Sequence, residues 1–262
     1  MKFPLTFGFP STVAMSVKTC VKTCLTTLLA LAMSSTAVAE PASAEVVAAI
    51  RTLLATSQPN MVIGDVVPSP VKGLYEVSIQ NGQTIYVSED ARFLIPGDLY
   101  EAQEEGLVNL GEGRRNEIRR DKIAALDEKD MIVFEAEGDR KAVLTVFTDV
   151  DCPYCRKLHG EVEQLNAMGI AVRYLAFPRT GLNTETHLKM ISAWCADDPK
   201  AMMSSAKRGA DIPSATCPNK IAEQYQLGRE VGVTGTPALV LEDGTILPGY
   251  VPAQTLAEYL LK

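Results

Sequence analysis

Two cysteines spaced two residues apart, in Cys152-Pro153-Tyr154-Cys155, are the residues of this chain best suited to chemistry. An apolar run, Ala142-Val143-Leu144-Thr145-Val146-Phe147, precedes them, and apolar residues recur at helical spacing after them at Leu158, Val162, Leu165 and Met168. A CxxC at a strand-to-helix junction lies in the first turn of the helix. Unpaired backbone N–H groups and the positive end of the helix dipole favour a thiolate there. The thiolate is the species that attacks disulfides, so the expected chemistry is thiol–disulfide exchange. Cys152 is the expected attacking group. Cys155, a turn further in and less exposed, is expected to resolve the mixed disulfide. Pro153 loses no helical bond in a first turn. Zinc fits the pattern poorly, because His159 follows Cys155 by one turn but no second CxxC exists. Neither a metal nor a cofactor is expected.

A second motif, Thr234-Gly235-Thr236-Pro237, stands immediately before the apolar run Ala238-Leu239-Val240-Leu241. Proline is tolerated at a strand's first position, and a cis bond before it costs only about 0.5–1 kcal/mol. Thioredoxin-like proteins hold a cis-proline against an active-site disulfide, and the residue before it offers its backbone to an extended substrate. Thr236, Pro237, Pro153 and Tyr154 are therefore the expected substrate-binding residues. Asp149 and Asp151 flank the reactive thiol and suit either a turn-and-cap role or an influence on its ionisation. His159 and His187 are expected to be helix-surface or hydrogen-bonded residues rather than bases. Trp194 and Met202-Met203 are expected to be apolar packing.

The elements that must position these groups are legible around them. Met131 to Phe134, Ala142 to Phe147 and Ile170 to Phe177 read as strands, the last rich in residues that suit a buried strand. Thr184 to Cys195, Pro199 to Lys207 and Asn219 to Glu230 read as helices. Pro237 to Leu241 and Thr245 to Leu247 form a hairpin around Asp243-Gly244, and a last helix runs from about Pro252 to Leu260. That is the thioredoxin order with a helical insertion. Upstream, Ala44 to Ser57 places Val47, Ile50, Leu53 and Leu54 on one helical face. Leu74 to Gln80 alternates, and Asn81-Gly82 then links it to Ile85-Tyr86-Val87 as a hairpin signal. A further strand, Arg92 to Ile95, stops before Pro96-Gly97. One helix on about four strands makes a small α+β unit with no residues for chemistry, expected to be structural or to pair chains. Between the two units, Gly111 to Asp130 is dense in charge, with Arg114, Arg115, Arg119 and Arg120, and reads as a solvated connecting helix.

The first 39 residues contain Lys2, Lys18 and Lys22 and no acid, a mostly apolar stretch from Leu25 to Met33, and Ala37-Val38-Ala39. That is the pattern of a secretory leader cut after Ala39, and Met15 offers an alternative start. Its apolar core is about half of the roughly 20 residues that span a bilayer. Cleavage removes Cys20 and Cys24 and leaves Cys152, Cys155, Cys195 and Cys217. Four cysteines in an exported chain allow three pairings, among which the CxxC favours 152–155 with 195–217. Losing three lysines takes the formal charge from −7 to about −10, which argues against nucleic acid as a partner.

Phe147 through His159, with its Cys152-Pro153-Tyr154-Cys155 core, resembles the active site of the DsbC/DsbG family of periplasmic thiol–disulfide interchange proteins. The likeness extends to Val172 through Arg179, Trp194-Cys195-Ala196, Gly235-Thr236-Pro237-Ala238 and Pro248-Gly249-Tyr250, and more loosely through the preceding helix, hairpin and linker. The resemblance implies an α+β N-terminal cystatin-like dimerisation domain (40–112), a linker helix (113–130) and a C-terminal α/β thioredoxin fold with a helical insertion (131–262), after a leader at 1–39. It implies a homodimer that rearranges wrong disulfides in misfolded exported proteins, with possible chaperone work. It also implies that a membrane thiol reductant of the DsbD type keeps the CxxC reduced, and that Cys195 and Cys217 form a structural disulfide. Pro153 is a departure, since glycine is expected there in DsbC active sites, and it leaves the redox poise open. A DsbA-like oxidase and a DsbG-like chaperone or sulfenic-acid reductase are the alternatives.

Overall fold

The computed structural model describes residues 41–262. The leader expected over residues 1–39, including Cys20 and Cys24, lies outside the described residues. Helix α1, Ala44–Ser57, starts where the Ser43 side chain accepts from the Val46 N–H, and it buries Ile50 and Leu54. These pack with Val77, Ile85 and Val87 on one face of an antiparallel meander. Its strands are β1 (Ile63–Pro68), β2 (Leu74–Ile79), β3 (Gln83–Ser88) and β4 (Leu94–Pro96), hydrogen-bonded in that order. The hairpin between β2 and β3 turns through Gln80–Gly82, with Gly82 at φ 67° as the tight turn requires.

β1 is an addition to the sequence reading. Its register with β2 shifts between Ile63 and Val66, and this irregularity breaks the period-two signal that would mark it. β4 begins two residues later than Arg92, because Ser88 and Asp90 take the Arg92 and Phe93 N–H groups into a tight turn. A separate hairpin of β5 (Tyr100–Gln103) and β6 (Gly106–Asn109) was also absent from that reading. Its strands are almost wholly exposed, so no buried face imposes an alternation.

Helix α2, Leu110–Ala124, corrects the expectation of a solvated connector. Arg114 pairs with the buried Glu76 of β2 at 3.2 Å, and Arg115 with Asp98 at 2.8 Å. Arg119 is only 6% exposed. It donates to the carbonyls of Val231 (2.8 Å) and Gly244 (3.2 Å) and pairs with Glu112 at 2.9 Å. Ile123 joins a core with Met131, Phe147 and Val231. Arg114, Arg115 and Arg119 each have a partner far away in sequence, which a local charge pattern does not reveal, while Arg120 pairs with its neighbour Asp121 on the exposed face.

Beyond α2 come β7 (Ile132–Phe134), β8 (Ala142–Thr148), α3 (Pro153–His159), α4 (Val162–Ala167) and β9 (Ile170–Ala176). The chain continues through α5 (Glu185–Trp194), α6 (Pro199–Lys207) and α7 (Ile221–Glu230), then β10 (Ala238–Val240), β11 (Ile246–Pro248) and α8 (Ala253–Leu260). The sheet order is β11-β10-β8-β9-β7, with β8 and β9 parallel through the α3–α4 crossover and the other pairs antiparallel. β8 and β9 are apolar and buried almost throughout, as strands covered on both faces must be. The helical periodicity after the CxxC is interrupted at Gly160-Glu161. The break frees the Glu161 carboxylate to accept from the Ala253 N–H and the Tyr250 hydroxyl, which fixes the start of α8.

α5 and α6 form the insertion. Cys195, at the end of α5, is disulfide-bonded to Cys217 across a sequence separation of 22 residues. In the chain-entropy model a loop of that size stabilises by about 3 kcal/mol. Replacing both cysteines with alanine is expected to lower unfolding stability by about that amount in denaturant titration. An unchanged midpoint would contradict the stapling role.

Candidate active site

Thr148 ends β8, and Asp149-Val150-Asp151 turns the chain into α3. The turn is held by the Asp149 carboxylate, which is buried and accepts from the Asp151 N–H (2.7 Å) and from the N–H and Nε of Arg179 (2.9 and 3.1 Å). Asp151 is neutralised by Arg156 (3.1 Å) and Lys189 (3.0 Å) and also accepts from Thr186. Both aspartates therefore have turn and bridging roles. Cys152 then occupies the N-cap of α3 with extended backbone angles, and Pro153 is the first helical residue.

The Cys152 thiol makes no capping bond; it donates to the Thr236 carbonyl at 3.2 Å. The Thr236–Pro237 peptide is cis, and the next residue, Ala238, pairs with Phe147 of β8. The strand pairing thus brings the two motifs of the sequence together, 84 residues apart in the chain. The Thr236 hydroxyl is buried and has no hydrogen-bond partner among the described residues. It faces both active-site sulfurs and is free to donate to whichever is ionised. Pro153 and Tyr154 are exposed, Tyr154 by 62%, and form the rim.

Exposure does not separate the two thiols, as the sequence reading expected it to: Cys152 is 2% exposed and Cys155 1%. Electrostatics separates them. Burial pushes the Cys152 pKa up, but the hydrogen bonds its thiolate can accept, from the Thr236 hydroxyl first and from the Cys155 and Tyr154 N–H groups, outweigh it, and the net shift is downward. For Cys155, burial dominates the opposing Lys207 charge and hydrogen bonds, and the net shift is upward. Alkylation of Cys152 is therefore expected to be half-maximal below the pH of an ordinary thiol, and that of Cys155 above it. Thr236→Val keeps the side chain's shape and removes its donor. It is expected to move the Cys152 profile to higher pH, and an unmoved profile would exclude the hydroxyl as a stabiliser of the thiolate.

The histidines are satisfied residues. His159 bridges the Tyr174 hydroxyl and Ser204, each at 3.0 Å, and burial followed by the charges of Lys207 and Arg208 holds its pKa at about 4. His187 accepts from the Asn183 N–H. Trp194 packs against the core and donates to the Asp130 carbonyl, and Met203 is fully buried with Met202 beside it. Two residues of the site carry no individual role in the sequence reading: Thr148, within the active-site-like motif, and Lys207 at the end of α6, whose ammonium donates to Thr148 at 2.7 Å. The signal available for Lys207 was a lysine on the apolar face of a helix, beside Met203 and Ala206.

Comparison with known proteins agrees with this geometry in both halves of the chain. Residues 37–112 match the family described as the disulfide bond isomerase protein N-terminal domain, and residues 128–262 match the thioredoxin-like domain family. The thiol:disulfide interchange protein DsbC of Dickeya dadantii is 40% identical over 233 residues, covering 89% of this chain and 92% of that protein. The chain belongs to the DsbC family. The thiol:disulfide interchange protein DsbC of Escherichia coli is 40% identical over 196 residues, covering 75% of this chain and 80% of the relative. Among solved structures, a disulfide interchange protein from Neisseria gonorrhoeae is 31% identical, covers 51% of this chain and 95% of its own, and superposes with a TM-score of 0.45. The chain is thus a thiol:disulfide interchange protein of the disulfide isomerase type, with an N-terminal DsbC module and a C-terminal thioredoxin-like domain. Among the described residues no helix is long and apolar enough to cross a membrane.

Proposed function

We propose that this DsbC-family protein rearranges wrong disulfides in exported proteins of the periplasm, with Cys152 as attacking thiolate and Cys155 as resolving thiol. The observation that carries the reading is the Cys152 thiol at the N-cap of α3, held against the cis Thr236–Pro237 ledge with Cys155 one turn behind it. Cys152 attacks a substrate disulfide and forms a mixed disulfide, releasing one substrate thiolate. That thiolate, or another in the substrate, displaces Cys152 with new pairing; alternatively Cys155 attacks Cys152 and releases the substrate reduced. Ionising Cys152 removes the donor from the Thr236 carbonyl, which can then accept from the N–H of a substrate strand. Residues 1–39 act as the export signal in this reading, and a membrane thiol reductant restores the dithiol. The test is to quench cells in acid, alkylate, and read the state of Cys152 and Cys155. A mostly reduced pair is expected; a mostly oxidised pair would overturn the assignment in favour of an oxidase.

The working unit in this reading is a homodimer formed by the N-terminal module. β4 is one of the two edge strands of its sheet and exposes Leu94 and Ile95, with Phe93 exposed just before it, and the β5–β6 hairpin exposes Tyr100, Leu107 and Val108. An apolar open edge is a pairing surface unless something covers it. Ile95→Lys is expected to yield monomer in sedimentation equilibrium while Cys152 still alkylates normally. A variant that remains dimeric would place the interface elsewhere.

A further inference from the structure

Lys207 lies at the end of α6, in the helical insertion, and is 3% exposed. A buried ammonium is costly unless its hydrogens and its charge are both met. Its Nζ donates to the Thr148 hydroxyl (2.7 Å) and toward the Asp149 carbonyl (3.4 Å), and lies 5.3 Å from the centre of the Tyr174 ring. These contacts meet the hydrogens but supply no counter-charge. The nearby Asp149 carboxylate attracts the ammonium but is hydrogen-bonded to the Asp151 N–H and to Arg179, so it offsets the charge only in part.

The remaining surroundings are cationic, polar or cysteine, apart from the exposed Glu163 of α4 at the rim of the cavity that reaches the lysine. From α3 come Arg156, which bonds Asp151 and the Val150 carbonyl, and His159, held between Tyr174 and Ser204. From α6 itself come Ser204 and Arg208. The anion the site can generate is a cysteine thiolate. Cys155 feels the Lys207 charge and the Thr148 hydroxyl, and its own charge acts on the buried Tyr174. Thr148 therefore stands between the amine and the sulfur. A cavity of about 270 Å³ lined by His159, Glu163, Ser204, Lys207 and Arg208 reaches the lysine and is large enough for water to carry a proton away.

We propose that Lys207, acting through the Thr148 hydroxyl, takes the proton of Cys155 and then stands as counter-charge to its thiolate, so that it sets the rate at which a mixed disulfide on Cys152 is resolved. In the step, the Cys155 thiol and a neutral Lys207 amine become a thiolate and an ammonium. The thiolate attacks Cys152 Sγ, the Cys152–substrate bond breaks, the Cys152–Cys155 bond forms, and the substrate leaves as a thiolate. The cysteine pair loses two electrons and the substrate disulfide gains them. The proton leaves Lys207 through the cavity. Burial pulls the lysine down to about 8, against the opposing pull of Cys155, Asp149 and Cys152, so a fraction is neutral near physiological pH. Lys207 is a positioning residue in this scheme, because it reaches the reacting sulfur through Thr148. Functionally, it biases each encounter between rearrangement and reductive release.

The inference rests on the proposed roles of Cys152 and Cys155, and its test separates the two. The full-length reduced protein is mixed with a disulfide-bonded peptide and quenched in acid, and the mixed disulfide and the resolved products are followed as pH varies. Lys207→Met is expected to slow resolution by about three- to fourfold for each unit by which the Cys155 pKa rises, since the loss of thiolate is partly offset by its greater nucleophilicity. Its resolution profile moves to higher pH, and formation of the mixed disulfide changes much less. Thr148→Val, which keeps both the lysine and the side-chain shape, is expected to slow resolution in the same sense, and it carries the test should the lysine variant not fold. Unchanged resolution, or formation and resolution falling equally, overturns the proposal. Failure of the unmodified protein to form a mixed disulfide through Cys152 overturns instead the reading on which it rests.

Discussion

Cys152→Ala is expected to reduce recovery of a scrambled multi-disulfide substrate to the uncatalysed background, whereas Cys155→Ala leaves the first attack intact and accumulates mixed disulfide. The contrast follows from the site's electrostatics. Cys152 has a depressed pKa and sits at the helix N-cap beside the cis-proline ledge, so its loss removes the more readily ionised of the two thiols. Cys155 is held as a thiol by burial and contributes only after Cys152 has reacted. Without Cys155 the mixed disulfide can still be displaced by a substrate thiol, so rearrangement persists while reduction is lost. Non-reducing gels of acid-quenched reactions with the Cys155→Ala protein should show the covalent adduct. Equal loss of substrate recovery in both variants, with no adduct in either, would sink the division of roles. Aggregation suppression that survives loss of both cysteines would indicate a binding activity independent of the redox pair.

The parts of this site that were legible in the sequence are those whose residue type is itself the chemistry. A CxxC after an apolar run can do little other than exchange disulfides or bind metal, and a proline opening a strand after Gly-Thr marks its own backbone geometry. Thr148 and Lys207 were invisible for the opposite reason. Each has an ordinary type for its element, and its role arises only where β8 ends over α6, 59 residues apart in the chain. The same limit explains α2. Its arginines are indistinguishable from a solvated face until Glu76, Asp98, Val231 and Gly244 are brought alongside. In the N-terminal module, α1 and the β2–β3 hairpin were legible because one face of each is buried at a regular period. β1 is interrupted by an irregular register and β5–β6 has no buried face, so neither carries a period to read. The similar burial of Cys152 and Cys155 was equally inaccessible, because the Thr236 loop that covers Cys152 arrives from the far end of the domain.

Gly244→Ala is expected to separate α2 from the catalytic domain, at a cost of about 2–4 kcal/mol in unfolding stability. Two penalties combine at this position. Gly244 holds φ at +87°, a conformation L residues rarely adopt, and a Cβ built on it would lie 1.9 Å from the Asn116 carbonyl oxygen and 3.0 Å from the Arg120 nitrogen. Both atoms are backbone of α2, so no rotamer change relieves the contact; the helix itself must move. Movement takes the Arg119 guanidinium away from the carbonyls of Gly244 and Val231 and leaves a buried cation short of acceptors. The Gly244 turn lies at the opposite end of β10 from Pro237, so the CxxC and its ledge should be untouched. The expected signature is therefore specific: a lowered denaturation midpoint and faster proteolysis within residues 111–130, with Cys152 alkylation as in the parent. In the proposed dimer this contact also fixes how each N-terminal module holds its catalytic domain, so rearrangement of a large scrambled substrate should fall more than reduction of a small peptide disulfide. Parental stability and parental proteolysis together would show that α2 does not dock through this turn in solution.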